Sequence, residues 1–328
     1  MKNAFPERTL PAVFCAGAVA AVLLGILGCG NSRPTEPPLP AIEYFSFKSD
    51  PGVAPNVSAM WNTDSTFKTY AMLGSESAGG VFTELVRVDH PEYTVMLTNT
   101  LSLFASGGTK YFKIRGISES GSTKDSAAVI MEYANIFYIN PDKHRMEEPA
   151  LLSNYWSNWN NGVMQPGGDP TGGSIAIVMN NAYAVGIFGA AFNFSSRPVS
   201  SGIAHCSFTY WYTNGRVDFI LIGGGKTNCY IRIETCVDTN TNTYAIVNAL
   251  DHASSTSNIA SNTSALTGFH TIDVTYNFSS QILKYSFDGA DKGQYPFYTN
   301  TIASFDRIDV LTTNYTRVYI DELKVWTE

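Results

Sequence analysis

The chain has 328 residues, with 21 Lys and Arg against 28 Asp and Glu, a formal net charge of −7, and 15% charged beside 13% aromatic residues. That balance has the wrong sign for neutralising nucleic-acid phosphates, so nucleic acid is excluded as a partner, and electrostatic adhesion to an anionic bilayer is disfavoured. Plentiful Thr, Ser, Asn and Gly suit β-structure with polar loops, and the length allows two domains of ordinary size.

The first element is a leader. "MKNAFPER" carries Lys2 and Arg8 against Glu7, and Leu10 to Gly28 is 19 residues without a charge. That is about the ~20 residues a membrane-crossing helix needs, so length alone leaves an uncut transmembrane anchor open. A positive start, an apolar middle and a small residue at the end describe a secretory signal. Ile26-Leu27-Gly28-Cys29 resembles the bacterial lipobox, with Leu27 where a small or hydroxylated residue is usual. The resemblance implies cleavage at Gly28, leaving a net charge of −8, with Cys29 lipidated as the new N-terminus. "GNSRPTEPPLP" follows, four prolines in eleven residues. Such a segment favours extended polyproline II and acts as a spacer. Residues 1–28 are thus expected to be a signal and 29–41 a tether on a bacterial cell-envelope lipoprotein. Gly30 is not the aspartate that commonly retains lipoproteins on the inner membrane, which points to the outer membrane.

From Ile42 the pattern changes to short alternating runs: "IEYFSFKS", "NVSAMWNT", "KTYAMLGS", "FTELVRV", "YTVMLTNT", "KYFKIRGIS" and "AAVIMEY". Seven such runs with regular turn signals predict an immunoglobulin-like sandwich over 42–133. Trp61 in the second run and Tyr111 behind a Gly-Gly-Thr turn give it a resemblance to fibronectin type III domains. The resemblance implies that both rings are core residues.

Residues 134–328 read as a second all-β domain. Nine runs, "GSIAIVMN", "HCSFTYWYT", "VDFILIGGG", "CYIRIETCV", "TYAIVNAL", "FHTIDVTYN", "ILKYSFDGA", "FDRIDVLTT" and "VYIDELKVW", join probable strands near Phe137 and Phe192. This strand count predicts a jelly roll. Gly268-Phe269-His270, the Asp288-Gly289 turn and the closing Ile320-Asp321 … Val325 give it a resemblance to the concanavalin A-like, laminin-G-like superfamily. The resemblance implies glycan or adhesive recognition and a structural calcium on Asp321, whose oxygen ligation suits that ion. The alternative for Asp321 is a loop cap or an acceptor of backbone hydrogen bonds, and His270 reads as structural.

Three cysteines remain beyond the leader and Cys29. Cys229 and Cys236 share one strand, about 23 Å apart at ~3.3 Å per residue, far beyond the ~7 Å a disulfide tolerates. Cys206 could bridge across strands; otherwise all three are small core hydrophobes. With His205 they lack the usual ligand spacing of a zinc site.

Candidate glycan-binding residues are aromatic. Tyr210 and Tyr212 alternate with Trp211 along one strand, and one of the two faces must be core. Trp156 and Trp159 lie in the polar "SNYWSNWNNG", where they either form a stacking surface flanked by Asn donors and acceptors or cover the sheet. Catalysis by paired carboxylates needs two acids on one face. From residue 134 no two acids lie two apart, Glu234 and Asp238 are the only pair four apart, and no nucleophile elbow, phosphate loop or His-Glu-x-x-His occurs. The expectation is a non-catalytic recognition head on a lipid-anchored envelope protein. A protein-binding or structural lipoprotein, or a polysaccharide-cleaving enzyme, is the alternative.

Overall fold

A computed structural model describes residues 38–140, 157–159, 164–168, 170, 175–180, 187–213, 215–237, 243–250, 256–262, 268–296, 304–313 and 316–328. Cys29, the leader, most of the tether and Trp156 lie outside the described residues. Among the described residues no helix is long and apolar enough to cross a membrane.

The first nine strands are β1 Phe45–Ser49, β2 Gly52–Val53, β3 Val57–Trp61, β4 Phe67–Ser75, β5 Thr83–Asp89, β6 Thr94–Leu97, β7 Gly108–Ser118, β8 Thr123–Asp125 and β9 Val129–Tyr133. They make an antiparallel sheet β1-β3-β6 and a second, β5-β4-β7-β8, with β9 also on β7. On β3 alternation turns Val57, Ala59 and Trp61 inward, and on β7 it turns Phe112 and Ile114 inward. Ring contacts join the two sheets, Phe47 to Phe112 at 4.3 Å and Trp61 to Tyr70 at 5.7 Å. Tyr111 corrects the sequence reading. Phe112 takes the inward position, so Tyr111 lies half-buried on the other face, opposite the exposed Ile130.

The later strands are β10 Phe137–Ile139, β11 Ser157–Trp159, β12 Met164–Gly168, β13 Ile175–Asn180, β14 Ile187–Asn193, β15 Ile203–Tyr212, β16 Arg216–Gly223, β17 Lys226–Val237, β18 Thr243–Leu250, β19 Thr256–Asn262, β20 His270–Asn277, β21 Ile282–Phe287, β22 Ala290–Pro296, β23 Arg307–Thr313 and β24 Arg317–Thr327. One sheet runs β12-β13-β24-β15-β20-β21-β22, with β10 also on β24; the other runs β11-β14-β23-β16-β17-β18-β19. Non-consecutive neighbours such as β13-β24-β15-β20 give the jelly-roll-like crossing of an all-β, two-sheet fold. Phe192, Phe208, Phe219, Ile231, Val274, Val310 and Leu323 belong to one core cluster drawn from both sheets. The β21–β22 hairpin turns on Asp288 and Gly289, at φ 48° and 77°, the left-handed pair that an Asp-Gly type I′ turn requires.

Both sets of strands meet along β24. β10 pairs with its C-terminal half, and β2 adds to β10, carrying the ladder into the first module. Gly107 N–H donates to the Thr327 carbonyl at 2.7 Å. The Asn135 amide donates to the Ala105 carbonyl and Thr327 Oγ1, and accepts from Thr327 N–H at 2.9 Å.

Candidate functional site

The outer face of the β11-to-β19 sheet carries charge where a solvated sheet would carry Thr and Ser. On β16, Val217, Phe219 and Leu221 fill the core, which turns Arg216, Asp218 and Ile220 outward. β23 does the same with Arg307, Asp309 and Leu311. Register sets Asp218 beside Leu311 and Arg232, and Asp309 beside Ile220 and Ala191.

Asp218 binds two guanidiniums. Arg216 Nε donates to it at 2.8 Å with Nη2 beside it, and Arg232 Nε donates at 3.2 Å. Arg307 Nη2 donates to Asp309 Oδ2 at 2.9 Å, with Nε 2.8 Å from Oδ1 as an ion pair. The acids lie underneath: the side chains of Asp218 and Asp309 are 2% and 9% exposed, those of Arg216, Arg232 and Arg307 30%, 26% and 40%. Burial holds the Asp309 carboxyl above the usual carboxylate range, while Arg307 pulls it back. The aspartates therefore act as anchors that fix planar, donor-rich arginines at the surface, the form in which a guanidinium recognises oxygen-rich ligands.

Trp159 lies on β11, an edge strand of the same sheet. Its register partner is Gly189, and the row continues through Leu311, Asp218, Arg232, Asn248 and Asn258 to the far edge strand. Two strands, and so three inter-strand spacings, lie between β11 and β16, roughly 14 Å at ~4.8 Å per spacing.

The other sequence-derived candidates sit elsewhere. Tyr210 and Tyr212 are buried between the sheets, because their face of β15 is the core-facing one; neither is available to a surface ligand. Trp211 points outward and packs on Tyr319 and Phe269. Asp321 is half-buried at a bulge, where Thr209 and Tyr210 pair with Glu322 and Ile320 and leave it as the extra residue. Among the described residues no three acidic, histidine or cysteine side chains gather. His270 Nδ1–H donates to Asp288 Oδ2 at 2.7 Å, and the ring stacks on Phe287, a structural arrangement. Cys206 and Cys229 are free and buried; burial pushes the Cys229 thiol up to about 12, offset in part by its hydrogen bond with Tyr285.

Asp218 and Asp309 are the residues that reading along the sequence missed. They lie on neighbouring strands as diagonal neighbours, roughly 7–8 Å apart by sheet geometry. Only the pairing of β16 with β23 brings them together. A cleft of about 380 Å³ opens instead at the seam, lined by Phe45, Phe47, Met131, Tyr138, Glu322 and Lys324. Its Glu322 is already engaged by Tyr138, Asn140 and Lys324, so it offers a ligand little.

No protein-family model and no curated protein matches the chain. Among solved structures it is similar to a sialidase, at 10% identity and TM-score 0.43 over 90% of this chain, which spans about a third (33%) of that protein's length. It is also similar to the Emp47p carbohydrate recognition domain, at 12% identity and TM-score 0.37, covering 53% of this chain and 89% of that one. A family 16 glycoside hydrolase endo-glucanase from Bacteroides ovatus aligns at 12% identity and TM-score 0.35, covering 52% and 94%. These neighbours include both a carbohydrate-recognition domain and glycoside hydrolases, so the function must be argued from this chain's own residues.

Proposed function

We propose that this is a bacterial envelope protein, lipid-anchored through Cys29 and sited on the outer membrane, whose jelly roll binds a glycan without cleaving it. The observation that carries the reading is the buried Asp218 carboxylate that fixes Arg216 and Arg232 on the outer face of the β11-to-β19 sheet. A saccharide offers hydroxyls to fixed donors and acceptors and C–H faces to an aromatic, and the reading gives the first role to Arg216 and Arg232 and the second to Trp159. The fibronectin III-like module at 42–133 serves as the spacer between lipid and head. A structural calcium on Asp321 belongs to the same proposal; with one carboxylate there, most of its ligands would be carbonyl oxygens, and a thermal shift on chelation tests it.

The test is a glycan array with the full chain, followed by titration of the best hit against Trp159→Ala and Asp218→Asn. Losing an aromatic platform of over 100 Å² at ~25 cal/mol/Å² is worth about 2.5 kcal/mol, so Trp159→Ala should weaken binding about tenfold to a hundredfold. Asp218→Asn should weaken it by releasing Arg216 and Arg232. Unchanged affinity in both folded variants would move the site to another surface.

The Asp218–Asp309 diagonal favours one competing reading, a glycoside hydrolase, because that spacing falls in the range carboxylate pairs use. Against it, both acids are buried under their arginines, where neither reaches a glycosidic oxygen. Reducing-end assays over a polysaccharide panel decide between them: turnover abolished by Asp309→Asn would replace the binding reading with hydrolysis.

A further inference from the structure

Six large hydrophobic side chains are exposed among the described residues, and three of them share the outer face of one small sheet. Tyr44, Met60 and Met96, at 55%, 41% and 59% exposure, lie on the β1-β3-β6 layer, Tyr44 just before β1, while Tyr93, Val81 and Ile130 lie elsewhere. Register explains the clustering. Trp61, Ala59 and Val57 take the core side of β3, so Met60 faces outward beside Ser46 and Thr94, and Met96 outward beside Ser58. Met60 and Met96 are diagonal neighbours, and Tyr44 continues the diagonal across β1, its hydroxyl bonded to Ser46 Oγ at 3.0 Å. Tyr93 is not part of the patch: its carbonyl accepts from Trp61 N–H, which sets it opposite that inward residue on the other face of the sheet.

We propose that this face of the first module rests on the lipid bilayer that carries the anchor. The inference depends on lipidation of Cys29, the reading given above. Tyr44 is fifteen residue steps after Cys29, which caps the reach of the tether at roughly 50 Å, at ~3.3–3.6 Å per residue. β1 is therefore the first folded element after the membrane, and the apolar patch lies on β1 and its two partners. Its chemistry suits an interface. Tyrosine combines an apolar ring with a polar tip and concentrates at the headgroup level, methionine fills irregular apolar surroundings, and the rim is Ser46, Ser58 and Thr94. In sequence, the segments that carry the patch set Lys48 against Glu43 and Glu92, so anionic headgroups would gain nothing from it. Contact comes from apolar burial, and zwitterionic phosphatidylcholine is sufficient. The tether then keeps the module against the membrane, with the two-sheet head held beyond it by the seam.

The experiment places the lipidated full chain in phosphatidylcholine vesicles containing a photoactivatable diazirine lipid and maps the labelled peptides by mass spectrometry. The expected result is labelling of Tyr44, Met60 and Met96 severalfold above Val81 and Ile130. Tyr44→Ser with Met60→Ser and Met96→Ser should abolish the difference without releasing the chain. Floating vesicles with equal or absent labelling of the patch overturn the contact while the anchor stands. A concentration-dependent dimer that shields this face also overturns it, in favour of a second copy as occupant. A chain that fails to float removes the anchor itself, and the contact with it.

Discussion

Lys110 shows how this fold handles charge in its interior. Its side chain is 1% exposed, and the ammonium donates to Glu76 Oε2 at 2.5 Å and Ser106 Oγ at 3.2 Å. Only the lysine is buried, since Glu76 is 58% exposed, but removing that carboxylate leaves a buried charge without its partner. Glu76→Gln should therefore destabilise the protein by on the order of 2 kcal/mol, the scale of a hydrogen bond to a charged group. Lys110→Met removes the charge and keeps the volume, so it should cost less than Glu76→Gln or even stabilise. Urea denaturation of the two variants checks the order, and a Lys110→Met variant weaker than Glu76→Gln would refute it. The outer face of the β11-to-β19 sheet follows the opposite arrangement. There the acids are deep and the arginines shallow, which leaves donors rather than carboxylates for a ligand.

The strands visible in the sequence and those that were not divide by position in the sheets. All seven runs over 42–133 and all nine later runs coincide with strands, as do the expected strands at Phe137 and Phe192. The strands without a signal are β2, β8, β11, β12, β19 and β22. β11 and β19 are the two edges of one large sheet, β12 and β22 the two edges of the other, and β8 ends its sheet in the first module. Edge strands are short, polar, or interrupted by Gly and Pro, as in "MQPGG" and "ADKGQYP", because an apolar edge would recruit another chain. Alternation cannot mark a strand that needs no buried face. For the same reason Trp159 carried no strand signal, although the pairing of β11 with Gly189 fixes its place. Asp218 and Asp309 were hidden differently: each is visible on its own strand, but their adjacency is a property of register, which the sequence does not display. The seam gives the element-scale prediction. A Cβ on Gly107 would stand 2.3 Å from Trp326 Cβ, and β24 is held on its other side by β15. Gly107→Ala should destabilise by about 1–3 kcal/mol, as overpacking does. It should also speed proteolysis between the modules. A variant with unchanged melting and digestion would show that Trp326 yields freely.

At the scale of the molecule the open matter is how far the two β-modules depend on each other. The sequence predicts independent folding of 42–133 and 134–328, since each has its own alternating strands and the junction is charged and bounded by proline. Each also has a core of its own: Trp61, Tyr70 and Phe112 in the first, and the cluster around Phe208, Phe219 and Val310 in the second. Yet the β2-β10-β24 ladder, the Asn135 amide and the Gly107–Thr327 bond cross between them. Net hydrogen-bond contributions of ~0.5–1.5 kcal/mol each make that seam worth a few kcal/mol, enough to couple two folding units without creating either. Residues 42–133 expressed alone should thus melt cooperatively as a β-protein, but lower than in the full chain. The shift should be on the order of 10 °C, since each kcal/mol moves a domain of this size by roughly 4–8 °C. Calorimetry of the full chain and of each half measures it. A first half without a cooperative transition would make the seam part of its core, and an unshifted one would reduce the seam to a passive contact. Under the function proposed above, the expected middle result is also what a spacer would require: a module that stands by itself yet is joined to the two-sheet module through a paired β-ladder.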